Sequence, residues 1–133
     1  MSDILGAGLD ATDIDRIADV IERHGERFLR RVFTEDEIAY CMRRRVPAIH
    51  FAARFAAKEA AMKALGTGHS QGVVWLDIEV VRQGGPPRLR LRGAAARRFT
   101  AIGGASTLLT ITHSETLALA HVLLIGGHSP ASR

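Results

Sequence analysis

Arg54-Phe55-Ala56-Ala57-Lys58-Glu59-Ala60-Ala61-Met62-Lys63-Ala64-Leu65-Gly66 is the stretch that decides how this chain folds. Its alanine, leucine, methionine, lysine and glutamate are strong helix formers, and Gly66 is placed to end the run in a left-handed cap. Extended back to Ala48, with Phe51 and Phe55 one turn apart, it predicts a central helix over 48–65. The same stretch holds both lysines of the chain, Lys58 and Lys63, while sixteen arginines carry the remaining positive charge. A compact ammonium evidently suits these two positions better than a guanidinium fork. Glu59 is the only acid between Glu37 and Asp77, in a region that also contains Arg43, Arg44, Arg45 and Arg54. A lone carboxylate amid cations is what a divalent metal beside a phosphorylated ligand requires.

Working outward, Ile4 to Asp10 is an apolar, glycine-containing run that suits a short buried strand ending on a carboxylate. Ile14, Ile17, Ala18 and Ile21 then recur at helical spacing behind a Thr12/Asp15 variant of the capping box, predicting a helix over 13–24. Thr34 and Glu37 form a better capping box, opening a short helix expected to bury Ile38, Cys41 and Met42. After a loop over 66–72, Val73 to Arg82 alternates and is rich in β-branched residues, so it reads as a strand. Gly84-Gly85-Pro86-Pro87 is a turn into a returning strand through Leu89 and Leu91, and 93–102 suits a short helix. Leu108–Thr112 and Thr116–Ile125 are two further apolar strands joined through His113-Ser114-Glu115. Strands grouped in hairpins rather than alternating with helices imply an α+β class with a mostly antiparallel sheet packed on the central helix. The expected organisation is one domain over 1–126 and a flexible tail over 127–133.

With 47% hydrophobic and 24% charged residues in 133 positions, the chain is one folded domain rather than a disordered one. No segment approaches the roughly 20 apolar residues that cross a bilayer, and Leu5 to Leu9 is too short and broken for a signal peptide. The sole cysteine, Cys41, excludes an internal disulfide and fits a reducing, cytoplasmic compartment. A net charge of +4 points to an anionic partner without choosing among nucleic acid, a nucleotide-like ligand and an acidic protein. Arg16, Arg23, Arg27, Arg30 and Arg31 form a face that suits nucleic acid, an acidic protein helix or plain solvation, and seven aromatic residues offer little for base stacking.

Asp10 and Glu59 stand where an unpaired carboxylate is costly, one at a strand end and one in an apolar helix. Meeting over a phosphate, they would make a Mg²⁺ site completed by water and ligand oxygens. The plainer reading has Asp10 capping the following helix and Glu59 pairing with Lys63 at i+4. Glu59 and Lys63 share a helix face and Lys58 lies on another, so Lys63 is the better phosphate ligand and Lys58 is expected to flank the ligand or an acidic partner. His113 is either a phosphate or ribose donor or a turn residue. The remaining histidines show no metal-ligand spacing, and the loop after Gly66 lacks the Gly-Lys-Ser/Thr ending of a P-loop.

Taken in order, Gly6-Ala-Gly8-Leu-Asp10 with Arg16-Ile17, Phe33-Thr34 with Glu37, Arg54 to Gly66, Trp75-Leu-Asp77-Ile-Glu79-Val, Gly85-Pro-Pro87 and Ile111-Thr-His113-Ser114 resemble one family along nearly the whole chain. They look like holo-acyl-carrier-protein synthase, the small single-domain type of 4'-phosphopantetheinyl transferase. The resemblance implies transfer of the phosphopantetheine arm of coenzyme A to a serine of apo-acyl carrier protein, releasing adenosine 3',5'-bisphosphate, in fatty acid or polyketide synthesis. It implies that Asp10 and Glu59 hold Mg²⁺ and act with Lys63 in catalysis. It assigns Arg54, Lys63, Gly66, Gly85, Pro87 and His113 to coenzyme A. It further implies a homotrimer with sites between subunits, and Arg16, Arg23 and Arg27 presented by the first helix to the acidic carrier. Ala11 and the acids Asp13, Asp15, Asp19 and Glu22 depart from the family pattern near that docking helix. The alternatives open at this level are an arginine-rich nucleic-acid-binding module and a domain that binds coenzyme A without catalysis.

Overall fold

The computed structural model describes residues 3–127, so all of the expected tail beyond Gly127 lies outside the described residues. The element order is β1 (Ile4–Asp13), α1 (Ile14–His24), α2 (Glu26–Val32), α3 (Glu35–Met42), α4 (Pro47–Leu65), a 3-10 turn (Trp75–Asp77), β2 (Ile78–Val81), β3 (Arg88–Leu91), α5 (Gly93–Ala101), β4 (Gly104–His113) and β5 (Leu117–Gly126). Helix α4 is the axis of the domain. Pro47 starts it at a position that needs no backbone donor, and Gly66, at φ 75°, ends it with its N–H on the carbonyls of Lys63 and Met62. Alanines 52, 53, 56, 57, 60, 61 and 64 are all buried, so the helix is wrapped on nearly every side.

Strands β1, β5 and β4 form an antiparallel sheet in the order β1-β5-β4, and β2 pairs antiparallel with β3 in a second, two-stranded sheet. The larger sheet lies on α4 through Ala118, Ala120, Val122 and Leu124, all buried. On β1 the contact is closer still. A Cβ on Gly8 would collide with the carbonyl oxygen of Ala60, and one on Gly6 with that of Ala64. Glycine is required at both positions for approach rather than for an unusual φ. Apolar residues gather on both sides of α4, with Met62, Leu65, Ile78 and Val80 in one cluster and Ile17, Val32, Phe33 and Phe51 in the other.

Among the described residues nothing covers the far face of the sheet. Ala7, Leu123 and Leu108 align across the three strands, as do Leu9, His121 and Thr110. Leu9 and Leu108 are 59% and 57% exposed, leaving an apolar face to be explained.

Several local expectations change. The helix expected over 13–24 is α1, closed by Gly25 at φ 51°, and the following α2 was not expected. Asp13, not Thr12, caps α1 by accepting from the Arg16 N–H, while the Thr12 hydroxyl donates to Asp10 instead. Strand β2 is confined to Ile78–Val81, because Asp77 folds back to accept from the Val74 N–H and coils Trp75–Asp77 into the 3-10 turn. Met42, expected to be buried, is 57% exposed, whereas Cys41 is buried, which raises its thiol to about 12 and keeps it protonated.

The clearest correction concerns Lys58. Rather than flanking a ligand, it is fully buried, and its ammonium donates to Glu37 Oε1 at 2.7 Å, to the Trp75 carbonyl at 3.1 Å and to the Ile78 carbonyl. Its three donors are thereby satisfied. Glu37 also closes the Thr34 capping box and accepts from the Val80 N–H at 2.9 Å. The Thr34 hydroxyl donates to Glu79 at 2.6 Å, and Arg92 reaches the other Glu79 oxygen at 2.7 Å. Burial pulls the Lys58 pKa below its ordinary value, with Glu37 opposing. This network ties α3 and β2 to α4, and breaking it on one side strands a charge in the interior. Lys58→Met is expected to lose about 3–5 kcal/mol in urea denaturation. Combining it with Glu37→Gln, which removes the stranded charge, is expected to recover part of that loss.

Candidate active site

The central pair of sequence candidates is brought together. Asp10 lies on β1 opposite Ala120 of β5, and Lys63 reaches over from α4 to bond the Leu9 carbonyl at 2.9 Å and Asp10 Oδ1 at 3.1 Å. The Thr12 hydroxyl holds Asp10 Oδ2 at 2.9 Å. One turn before Lys63, Glu59 Oε2 accepts from the Trp75 indole N–H at 3.1 Å and lies 2.8 Å from His69 Nε2. Asp10, Thr12, Arg16, Phe55, Glu59 and Trp75 line one cleft of about 360 Å³. Both plainer readings are therefore displaced: Asp13 is the helix cap, and among the described residues Lys63 pairs with Asp10 rather than with Glu59.

These donors fit a magnesium ion. Glu59 Oε1 takes no hydrogen bond among the described residues, and no group of three or more His, Cys, Asp or Glu converges there. Two carboxylates, with water and phosphate oxygens filling the other positions, is the usual provision for Mg²⁺ and not for zinc.

Arg54 opens elsewhere. Five residues before Glu59 on α4, it points about 140° away around the helix axis. It lines a second cleft of about 330 Å³ with Tyr40, Arg43, Glu79, Arg82 and Arg90. Its guanidinium sits 4.0 Å over the Tyr40 ring, and its buried Nε has no hydrogen-bond partner among the described residues. An unpaired buried donor is costly, and an anionic acceptor is the natural remedy. His50 packs edge-on against Tyr40, and its pKa is lowered by burial first and then by Arg54, Arg44, His113 and Arg82. With four arginines against Asp36 and Glu79 in its lining, this cleft is electropositive.

The other candidates are scattered. His113 is exposed at the end of β4, Gly66 is the cap of α4, and Gly85 and Pro87 lie in the β2–β3 connection. None of these four lines the Asp10/Glu59 cleft. Arg16 does, and Arg23 is exposed in the last turn of α1. Arg27 belongs to α2 rather than to the first helix and shares a shallow depression with His24, Phe28 and Arg31. Sequence reasoning missed Thr12, His69 and Trp75 as partners of the two acids. Trp75 was visible only as part of a motif, and His69 only as a loop histidine without ligand spacing.

The family profile described as the 4'-phosphopantetheinyl transferase superfamily matches residues 6–119. A holo-[acyl-carrier-protein] synthase of Koribacter versatilis is 48% identical over 122 residues, covering 91% of this chain and 98% of the relative. The crystal structure of the holo-[acyl-carrier-protein] synthase of Neisseria meningitidis superposes with a TM-score of 0.84 at 29% identity, covering 92% of this chain and 98% of that one. That of Helicobacter pylori, in complex with coenzyme A, gives 0.78 at 28% identity, covering 89% and 98%. Among the described residues no helix is long and apolar enough to cross a membrane. The order of elements, the acid cleft on β1 and α4 and these likenesses agree: the chain belongs to the 4'-phosphopantetheinyl transferase superfamily, among its holo-[acyl-carrier-protein] synthases.

Proposed function

We propose that this protein transfers the 4'-phosphopantetheine group of coenzyme A to a serine hydroxyl of an apo-acyl carrier protein. The observation that carries the reading is the meeting of Asp10 and Glu59 in one cleft, with the Lys63 ammonium bonded to Asp10. In the transfer the serine oxygen bonds to the β-phosphorus of coenzyme A. The bond from that phosphorus to the bridging oxygen breaks, and adenosine 3',5'-bisphosphate leaves with the oxygen. Mg²⁺, held by Asp10 and Glu59, would supply charge stabilisation on the diphosphate oxygens. Lys63 adds a fixed positive charge beside them, where its field needs no reorganisation as charge develops. The serine proton passes to a base in the cleft, either Glu59 itself or a water that it orients. A nucleic-acid module or a non-catalytic coenzyme A-binding domain would leave the convergence of the two acids without a use.

The nucleotide end suits the electropositive cleft, where Arg54 Nε lacks an acceptor. Because that cleft and the acid cleft open apart within one chain, a complete site fits best between copies. The uncovered sheet face through Leu9, Leu108 and Leu123 is the surface that a homotrimer would bury. His113 and the Gly85–Pro87 turn then belong to the neighbour's contribution. Arg16, at the mouth of the acid cleft, with Arg23 and Arg27 beyond it, is suited to guide an acidic carrier.

Asp10→Asn and Glu59→Gln are expected to keep the melting temperature of the parent and to lower Mg²⁺-dependent carrier loading by about 10²-fold or more. Loading at the parental rate by either variant would refute the metal-site reading. Arg16→Glu is expected to raise the apparent KM for the carrier about tenfold while leaving that for coenzyme A nearly unchanged; equal changes in both would exclude docking beside α1. Leu108→Arg, at an exposed position, is expected to convert the trimer to monomers in light scattering and to remove loading with it. A monomeric parent, or an active monomeric variant, would contradict the shared site.

A further inference from the structure

Glu59 can hold a metal well only if its carboxylate is fixed, and a glutamate side chain has three rotatable bonds before its carboxylate plane is set. Two donors meet on one of its oxygens. The Trp75 indole N–H reaches Oε2 at 3.1 Å, and His69 Nε2 lies 2.8 Å from the same atom. An ionised carboxylate accepts only, so His69 carries its hydrogen on Nε2. Neither ring is free to drift. The His69 ring packs edge-on against Trp75 with centroids 4.7 Å apart, and Trp75 packs on Phe55 of α4 at 6.1 Å.

The loop that delivers His69 is itself built for the purpose. Gly68, Gln71 and Gly72 all have positive φ, of 53°, 58° and 78°, so the chain after α4 doubles back on itself. Thr67 and Gly68 both donate their N–H groups to the Met62 carbonyl, and the Val73 N–H bonds the Ser70 carbonyl at 3.2 Å. Nothing in the core requires an imidazole here, since the His69 side chain is 47% exposed. Among the described residues its one side-chain hydrogen bond is to Glu59, the residue to which the transfer chemistry assigns the metal.

We propose that His69 is a positioning residue for the transfer reaction: with Trp75 it holds Oε2 of Glu59, so that Oε1 faces the cleft and the metal. This role rests on the assignment of Mg²⁺ to Asp10 and Glu59. Partners that orient a ligating carboxylate typically affect metal affinity by about 10–100-fold when removed. The chain contains one tryptophan, Trp75, so its fluorescence reports directly on the Glu59 carboxylate and supplies a binding readout independent of turnover.

The test is a Mg²⁺ titration of the protein with coenzyme A bound, followed by Trp75 fluorescence and in parallel by carrier loading, for the parent, His69→Ala, His69→Gln and Glu59→Gln. His69→Ala is expected to raise the half-saturating Mg²⁺ concentration by about 10-fold or more in both readouts, with the KM for the carrier nearly unchanged. His69→Gln retains a side-chain N–H donor and is expected to recover most of the loss. A half-saturation for His69→Ala within about twofold of the parent, or equal impairment of the alanine and glutamine variants, would overturn the positioning role. If Glu59→Gln loses Mg²⁺ dependence while His69→Ala does not change, only that role fails. If the parent shows no Mg²⁺ response, or Glu59→Gln loads the carrier normally, the metal assignment fails and His69 has nothing to position.

Discussion

The contact between the glycines of β1 and the backbone of α4 sets the rest of this molecule in place. Gly6 and Gly8 lie so close to the Ala64 and Ala60 carbonyls that no Cβ fits between them. Alanine on the helix and glycine on the strand give up apolar area in exchange for proximity, and proximity is what the site needs. Only at this separation can Lys63 span from the helix to the Leu9 carbonyl and Asp10. Glu59, one turn back on the same helix, then faces the cleft that Asp10 also lines. The convergence of the two acids is thus a product of helix–strand packing, with both on rigid elements rather than on loops.

The two lysines divide the electrostatics of α4 between interior and surface. Lys58 satisfies three acceptors in a closed, dry network, where a guanidinium with five donors would leave some unpaired. Lys63 stands half exposed at the cleft, with Asp10 as its only acidic partner among the described residues. Arg54 is the opposite case to Lys58: a buried cation with an unsatisfied Nε, set at the edge of a cleft lined by further arginines. Lys58 sits in a closed network, and Arg54 leaves a donor open. That contrast separates satisfied from unsatisfied buried cations on a single helix.

Much of the fold was legible from periodicity and capping. The central helix expected over 48–65 runs from Pro47 to Leu65, and the Thr34/Glu37 capping box closes as read. The last two strands were located, β4 starting earlier than expected, at Gly104, and β5 shifted by one residue. The failures have local causes. The short helix α2 after Gly25 was not assigned, and an aspartate side chain coils the residues ahead of β2 despite their β-branched composition. In the site, Asp10, Glu59 and Lys63 were readable because each is isolated in an apolar or oppositely charged setting. The burial of Lys58 was not, since its acceptors on Glu37, Trp75 and Ile78 are 21, 17 and 20 residues away. His69 reaches Glu59 through left-handed turns, which leave no periodic trace in a sequence.

Phosphopantetheine transfer to a carrier can be observed directly. An apo-acyl carrier protein incubated with coenzyme A, Mg²⁺ and this protein, then weighed intact by mass spectrometry, is expected to gain one phosphopantetheine on its serine. Chelation of the metal is expected to prevent the gain. If the folded protein binds coenzyme A yet leaves several apo carriers unmodified in the presence of Mg²⁺, the assignment of phosphopantetheinyl transfer to the Asp10/Glu59 cleft is wrong.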